Sequence, residues 1–495
     1  MSQVIEPTVQ ATHPALRQKY DCLIGGVLEG SESGNTFATT NPATGEKLAE
    51  VPDCDARDVD RAVRAAQKAS REWRRMTPTE RGGYCRRFAE RLRARKDVYA
   101  ALDALDGGNP VTQMRADVMG AAAQLEYFAG IASEIKGETV PSAPQTFNFT
   151  LREPYGVVAK IIPFNHPLMF AARIGSPLMA GNTVVLKPAE QTPLSALEMA
   201  HDVKEIFPPG VVNIITGDGP SVGAPLVRHP GVRRIAFTGS VEVGRAIMRD
   251  AAEGLKTISM ELGGKNPMIV FPDVDVDQAV ASAFNGMNYC VSQGQSCGST
   301  SRLFLHTDIH DAFIERLANK MKSVRIGLPI DEKTEMGSLV SRDQFDKVMS
   351  YIEIGKKEGA VVMTGGGKPS DRELQQGYFV EPTLFTQVDY RMRLAQEEIF
   401  GPVESVIAWT DPKQLIPMAN SVIYGLTASI WSRDFATAYR LASEIEAGYI
   451  WINESSKHFI GMPFGGYKLS GLGRQECLAD LLSYTQQKSV NVNLL

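Results

Sequence analysis

The sequence predicts an α/β protein organised around a parallel, doubly wound sheet, followed in the chain by a second α/β unit. Three observations lead there. Short β-prone runs alternate with helical segments through the middle of the chain, the pattern of βαβ units. Conspicuous motifs follow the ends of successive strands, where sheets of this kind bind ligands. At 495 residues the chain is also too long for one compact core, and its length implies roughly three domains.

Taken in order, residues 1–19 read as a mobile tail, and 21–50 as short strands and turns punctuated by Asn41, Pro42 and Gly45. Apolar residues recur at helical spacing over 59–73 and over 79–95, where the arginines read as a solvated outer face. Residues 117–134 give an alanine-rich helix, and TFNFTL (146–151) alternates as a half-exposed strand does. Five β-prone runs follow at 157–162, 183–187, 211–215, 234–238 and 257–262. Helical segments at 168–180, 193–206, 221–228 and 241–252 separate them. The second unit starts near Asn266, with helices at 278–291, 310–324 and 343–358 and strands at 301–306, 403–409 and 449–452. Residues 488–495 alternate again and read as an edge strand, which generally pairs, often with another subunit.

Hydrophobic residues make up 43% and charged residues 22%, ordinary for a soluble globular protein. Net charge is 52 − 57 = −5, which favours neither nucleic acid nor an anionic membrane as partner. No apolar run reaches the roughly 18 residues that span a bilayer. Residues 1–20 hold no apolar core of signal-peptide length, so the expected location is the cytoplasm. The six cysteines form no CxxC pair and sit beside no histidine at zinc-ligand spacing; neither a metal site nor a disulfide framework is expected.

The chemistry concentrates between Lys256 and Arg302. Glu261 is followed by Gly263 and Gly264, and Cys297 lies among Gly294, Ser296, Gly298 and Ser299. A thiol attacks as its thiolate, and small neighbours let backbone and substrate approach the sulfur. A carboxylate on a glycine hinge can turn a water against whatever the thiol has captured. Asn165, between Pro163 and Pro167, offers a side-chain amide as an oxyanion donor alongside the Cys297 N–H; an ordinary turn asparagine is the alternative. Gly217-Asp-Gly219-Pro-Ser-Val-Gly223 departs from GxGxxG and reads as readily as a turn. Phe237-Thr-Gly-Ser240 leads into a helix whose first N–H groups, with the Ser240 hydroxyl, could hold a pyrophosphate, or could simply be capped. Lys187 and Glu190 follow the second strand. A carboxylate there accepts ribose hydroxyls and repels a 2′-phosphate, favouring NAD over NADP, unless the pair is only a surface loop. Glu398 fits either a second ribose or a solvated loop. For His166 no Asn or Asp partner stands out, so a pocket-lining role is preferred to a Cys–His dyad.

IIPFNHP, KPAE, FTGS, ELGGK, GQSC, EEIFGP and PFGGYKLSGLGR occur in this order between Ile161 and Arg474, within a resemblance that runs from about Tyr20. Together they resemble the NAD(P)-dependent aldehyde dehydrogenase superfamily, in its non-acylating form. The resemblance implies a Rossmann-type NAD-binding domain (1–132 and 153–263), an α/β catalytic domain (264–463) and a small β oligomerisation arm (133–152 and 479–495). It implies a homodimer or homotetramer acting on a small-molecule aldehyde. Cys297 would form a thiohemiacetal and then a thioester, Asn165 would hold the oxyanion, and Glu261 would activate the hydrolytic water. Lys187 joins these as a catalytic residue. Cofactor contacts would fall on Ile161, Pro163, Phe164, Lys187, Glu190, Gly219, Gly223, Ser240, Leu262, Gln344, Glu398 and Phe400, and substrate contacts on His166, Phe170 and Arg173.

The pattern is broken in places. Phe164 stands where Trp is usual, Ser292 replaces a common Asn, and Gln475 replaces a frequent Glu while Glu476 is shifted by one, which puts a proton relay at this end in doubt. Arg173 could read a substrate carboxylate, implying a polar, anionic or aromatic aldehyde, or could pair with a neighbouring acid. Two rival functions remain: release of the thioester to coenzyme A, which the Glu261 position argues against, and a catalytically silent binding protein, which intact Cys297, Glu261 and Asn165 argue against.

Overall fold

The structure, a computed structural model, describes residues 13–17 and 19–494. Most of the expected tail lies outside the described residues. What is described of it is tied down, because the Arg17 guanidinium donates to Glu198 at 2.9 Å.

An eight-stranded sheet runs in the order Val27–Glu29, Cys22–Ile24, Val212–Ile214, Thr183–Lys187, Val157–Ile161, Val232–Thr238, Thr257–Glu261 and Gly471–Leu472. Its five central strands are parallel, and the outer ones join antiparallel. VVAKI and TVVLK at its centre are buried along their whole length, as strands covered on both faces must be. A seven-stranded sheet follows, ordered Val361–Thr364, Thr383–Thr386, Val403–Trp409, Arg302–His306, Pro267–Val270, Thr427–Trp431 and Tyr449–Ile452. All but its first pair are parallel.

The junction between the sheets sets up the site. Glu261 ends a strand of the first sheet, and Pro267 opens a strand of the second. Pro267 pairs with Arg302, so Leu262 to Asn266 is brought alongside the segment carrying Cys297. Two stretches far apart in sequence meet because a single strand register aligns their ends.

Several elements differ from the sequence reading. The helix expected at 168–180 splits into Pro167–Ala172 and Gly175–Met179. Pro177 has no N–H for the Arg173 carbonyl, and its ring would strike that oxygen in a continuous helix. Similarly, 278–291 breaks into Val276–Gly286 and Tyr289–Ser292 at Asn288, whose φ is +56°. The arginines of Pro78–Ala94 form a solvated face only in part: Arg86 and Arg87 are exposed, whereas Arg91 reaches Asp202 at 2.8 Å and Arg81 is buried against the Met179 carbonyl. The C-terminal strand begins at Thr485, and its partner is Thr146–Pro154 of the same chain, in nine antiparallel pairs. Among the described residues no helix is long and apolar enough to cross a membrane.

Candidate active site

Cys297 sits on a loop that is pinned from below. Asn266 Nδ2 donates to the carbonyls of Cys297 and Ser299, both at 2.8 Å. Gly264 is required by this packing, since a Cβ there would lie 2.4 Å from the Cys297 carbonyl. At Gly263 a Cβ would meet the Glu398 carboxylate at 2.1 Å. Glu398 Oε1 accepts the Gly264 N–H at 2.9 Å, so it is neither free nor a solvated loop residue. The two glycines thus let a carboxylate and a thiol-bearing loop close on one backbone segment.

Cys297, Glu261 and Asn165 line a single cavity of about 370 Å³. Burial, then the charges of Glu261 and Glu398, push the Cys297 thiol up to about 12, while Arg173 pulls the other way. Burial, then Glu476, raises Glu261 well above the usual carboxylate range. Its Oε2 is buried without a hydrogen-bond partner among the described residues. Asn165 gives one amide N–H to the Gln295 carbonyl at 2.9 Å, which leaves the second for the cavity. Its backbone carbonyl accepts from Asn109 Nδ2 at 2.8 Å, so Asn165 is held at both ends.

The expected substrate residues line the same cavity, but each is engaged. His166 Nδ1 lies 2.6 Å from Asp117 Oδ2, so the partner that sequence reasoning did not find exists. Arg173 forms an ion pair with Glu476 at 2.9 Å and its guanidinium covers the Phe170 ring at 4.8 Å. Arg173 thus makes the pairing with an acid that is its alternative reading, and it still lines the cavity. Burial alone would raise Glu476, but Arg173 and then His458 outweigh it and bring the carboxyl down to about 2. Glu476 takes this place with φ at +64°, a left-handed backbone that a glutamate rarely adopts.

Asn109, Asp117, Asn266, Gln295 and Glu476 were missed as site residues. Asp117 carried one signal: Gln113, Met114, Gly120 and Ala121 give it no cation one helical turn away, so its partner had to come from elsewhere.

The Aldehyde dehydrogenase family model matches residues 29–490. The chain belongs to the aldehyde dehydrogenase family. Aldehyde dehydrogenase tropH of Talaromyces stipitatus is 45% identical to it, over 99% of this chain and 96% of that protein. Retinaldehyde dehydrogenase 3 of Mus musculus is 43% identical, over 94% and 91%. An NAD+ complex of aldehyde dehydrogenase from Bacillus cereus superposes with a TM-score of 0.95 at 40% identity, covering 98% of this chain and 99% of the other.

In this member of the aldehyde dehydrogenase family, the carboxyl edge of the first sheet has an open side. A Cβ added at Gly219 would meet no heavy atom within 4 Å, so there is room beside it. Asp218 caps the helical segment Gly219–Gly223 by accepting the Ser221 N–H at 2.6 Å, so these glycines open a helix rather than form a free turn. Ser240 caps the helix Val241–Ala252 by accepting the Val243 N–H at 3.2 Å, so its hydroxyl proton alone remains for a ligand. Lys187 is buried, with Nζ 3.3 Å from the half-exposed Glu190 carboxylate. Gln344 is not free, because its amide donates to the Ile399 and Phe400 carbonyls at 3.1 and 2.6 Å and holds that turn. Phe164 and Phe400 meet edge to face at 5.7 Å. Ile161 and Leu262 are buried near the strand ends, Leu262 against Gly244.

Proposed function

We propose that this enzyme oxidises aldehydes to carboxylic acids with NAD, by covalent catalysis at Cys297. The observation that carries this is the convergence of thiol, side-chain amide and carboxylate on one cavity beside the open edge of a doubly wound sheet. The residues there suit a dinucleotide: a helix start with a free hydroxyl proton, an open glycine, a buried ammonium and a half-exposed carboxylate. Glu190 would hold the adenosine ribose and disfavour a 2′-phosphate, and the Phe164–Phe400 pair would bound the nicotinamide end.

Cys297 Sγ adds to the aldehyde carbon, and the free Asn165 N–H with the Cys297 backbone N–H holds the oxyanion that forms. NAD, when bound, supplies the hydride acceptor for the oxidation. The thioester left on Cys297 is cleaved by water that Glu261 deprotonates. Arg173, already paired with Glu476, supplies no free charge for an anionic substrate, so the preferred aldehyde is polar or aromatic and uncharged. The ribbon of Thr146–Pro154 and Thr485–Asn493 serves as an oligomerisation arm, since Phe147 and Leu151 expose apolar surface on a pair of strands too small to stand alone. All six cysteines are free, as suits the cytoplasm we assign to it.

Cys297→Ala should abolish NADH formation from any aldehyde while NAD binding, measured by calorimetry, persists. Activity retained in that variant would refute the nucleophile.

A further inference from the structure

The cavity at Cys297 holds more charge chemistry than aldehyde oxidation uses. Two imidazoles line it, and each turns Nδ1 to a carboxylate: His166 to Asp117 at 2.6 Å and His458 to Glu476 at 3.3 Å. A carboxylate only accepts, so Nδ1 carries the proton. Among the described residues His166 Nε2 makes no hydrogen bond, and it is left for whatever enters. The charge balance points the same way. Besides Glu261, Asp117 and Glu476 bring two further carboxylates to the wall, against one permanent cation, Arg173, which Glu476 already pairs. Apolar surface completes the lining. Phe170, Trp451 and Phe464 face the cavity, and Ile460 at its edge is exposed beside the equally exposed Phe459.

We propose, building on the aldehyde-oxidation reading above, that the Asp117–His166 pair is a specificity element for a hydroxyl group on an aromatic aldehyde. A hydroxyl both donates and accepts, so it pairs with Nε2 whether the ring is neutral or protonated. A carboxylate pairs only with the protonated ring and meets two like charges in the wall. An unsubstituted aromatic aldehyde fits the apolar lining but strips water from Nε2 without replacing its hydrogen bond.

The test is kcat/KM for NADH formation from benzaldehyde, its ring-hydroxylated analogues and its ring-carboxylated analogues, at saturating NAD. Wild type should favour a hydroxylated aldehyde over benzaldehyde by about tenfold and take the carboxylated one worst. His166→Phe should bring the hydroxyl-to-hydrogen ratio to about one, and His166→Gln, which keeps a hydrogen-bonding tip, should restore part of it. A wild type that prefers the carboxylated aldehyde, or a His166→Phe variant whose rates fall equally on all three with the ratio intact, would overturn the assignment. Turnover of benzaldehyde itself reports on the parent reading: a wild type that oxidises none of the three removes that reading and this one together, whereas benzaldehyde turnover with no hydroxyl preference removes only this one.

Discussion

The thiol of Cys297 is poised against ionisation, and that has a measurable consequence. Its thiolate is disfavoured first by burial and then by Glu261 and Glu398, which push the thiol up to about 12. A raised thiol loses its proton only at high pH, so below that value the thiolate fraction grows about tenfold for each pH unit. In the enzyme without substrate or cofactor, alkylation of Cys297 by iodoacetamide should therefore climb with unit slope from pH 7 to pH 10. A plateau by pH 8 would mean that the site stabilises the thiolate in the resting state. Much of this site was legible in the sequence, because Cys297, Glu261 and Asn165 sit in short motifs with small or rigid neighbours. The residues that hold them were not. Asn266 and Asn109 act on backbone carbonyls of distant segments, and nothing local in the sequence marks an asparagine that bonds across the fold. Arg173 shows the same limit, since its partner Glu476 lies near the other end of the chain and only the fold brings the two together.

At the scale of elements, the helix Lys96–Gly107 escaped the sequence reading for a physical reason. It is buried nearly all round from Tyr99 to Gly107, so it shows no apolar stripe at helical period. Two carboxylates on it cap other helices: Asp103 accepts the Leu168 N–H and Asp106 the Leu194 N–H, each at 3.0 Å. Burial, chiefly, raises Asp103 to about 7. Because the folded value lies above the unfolded one near 4, its contribution to stability is full below about pH 4 and is lost as pH rises through about 7. Asp103→Asn keeps the acceptor without the charge. It should stabilise the enzyme by about 2 kcal/mol at pH 8, seen as a higher Tm, with the gap narrowing as pH is lowered towards 4. An equal or lower Tm at pH 8 would mean that the carboxylate is ionised and well paired. The strands of the first sheet were easy to find, being apolar runs between clear helices. Pro267–Val270 and Thr427–Trp431 were not, because four- and five-residue buried runs carry no period of their own.

For the molecule as a whole, the two sheets and the arm make separate commitments. The arm exposes Phe147 and Leu151. Replacing both by lysine should leave the monomer folded but lower the mass seen by light scattering, whereas an unchanged mass would place the subunit interface elsewhere. The sheets commit to chemistry, because the register of Pro267 with Arg302 is what brings Glu261 and Cys297 to one cavity. The most direct test of that division of labour is a single-turnover experiment on Glu261→Gln with NAD and benzaldehyde. If Glu261 acts only on the thioester, the variant should give a burst of one NADH per active site and slow turnover afterwards, with an acyl group on Cys297 in the mass spectrum of the intact protein. Steady turnover at the wild-type rate, with no acyl group on Cys297, would contradict it.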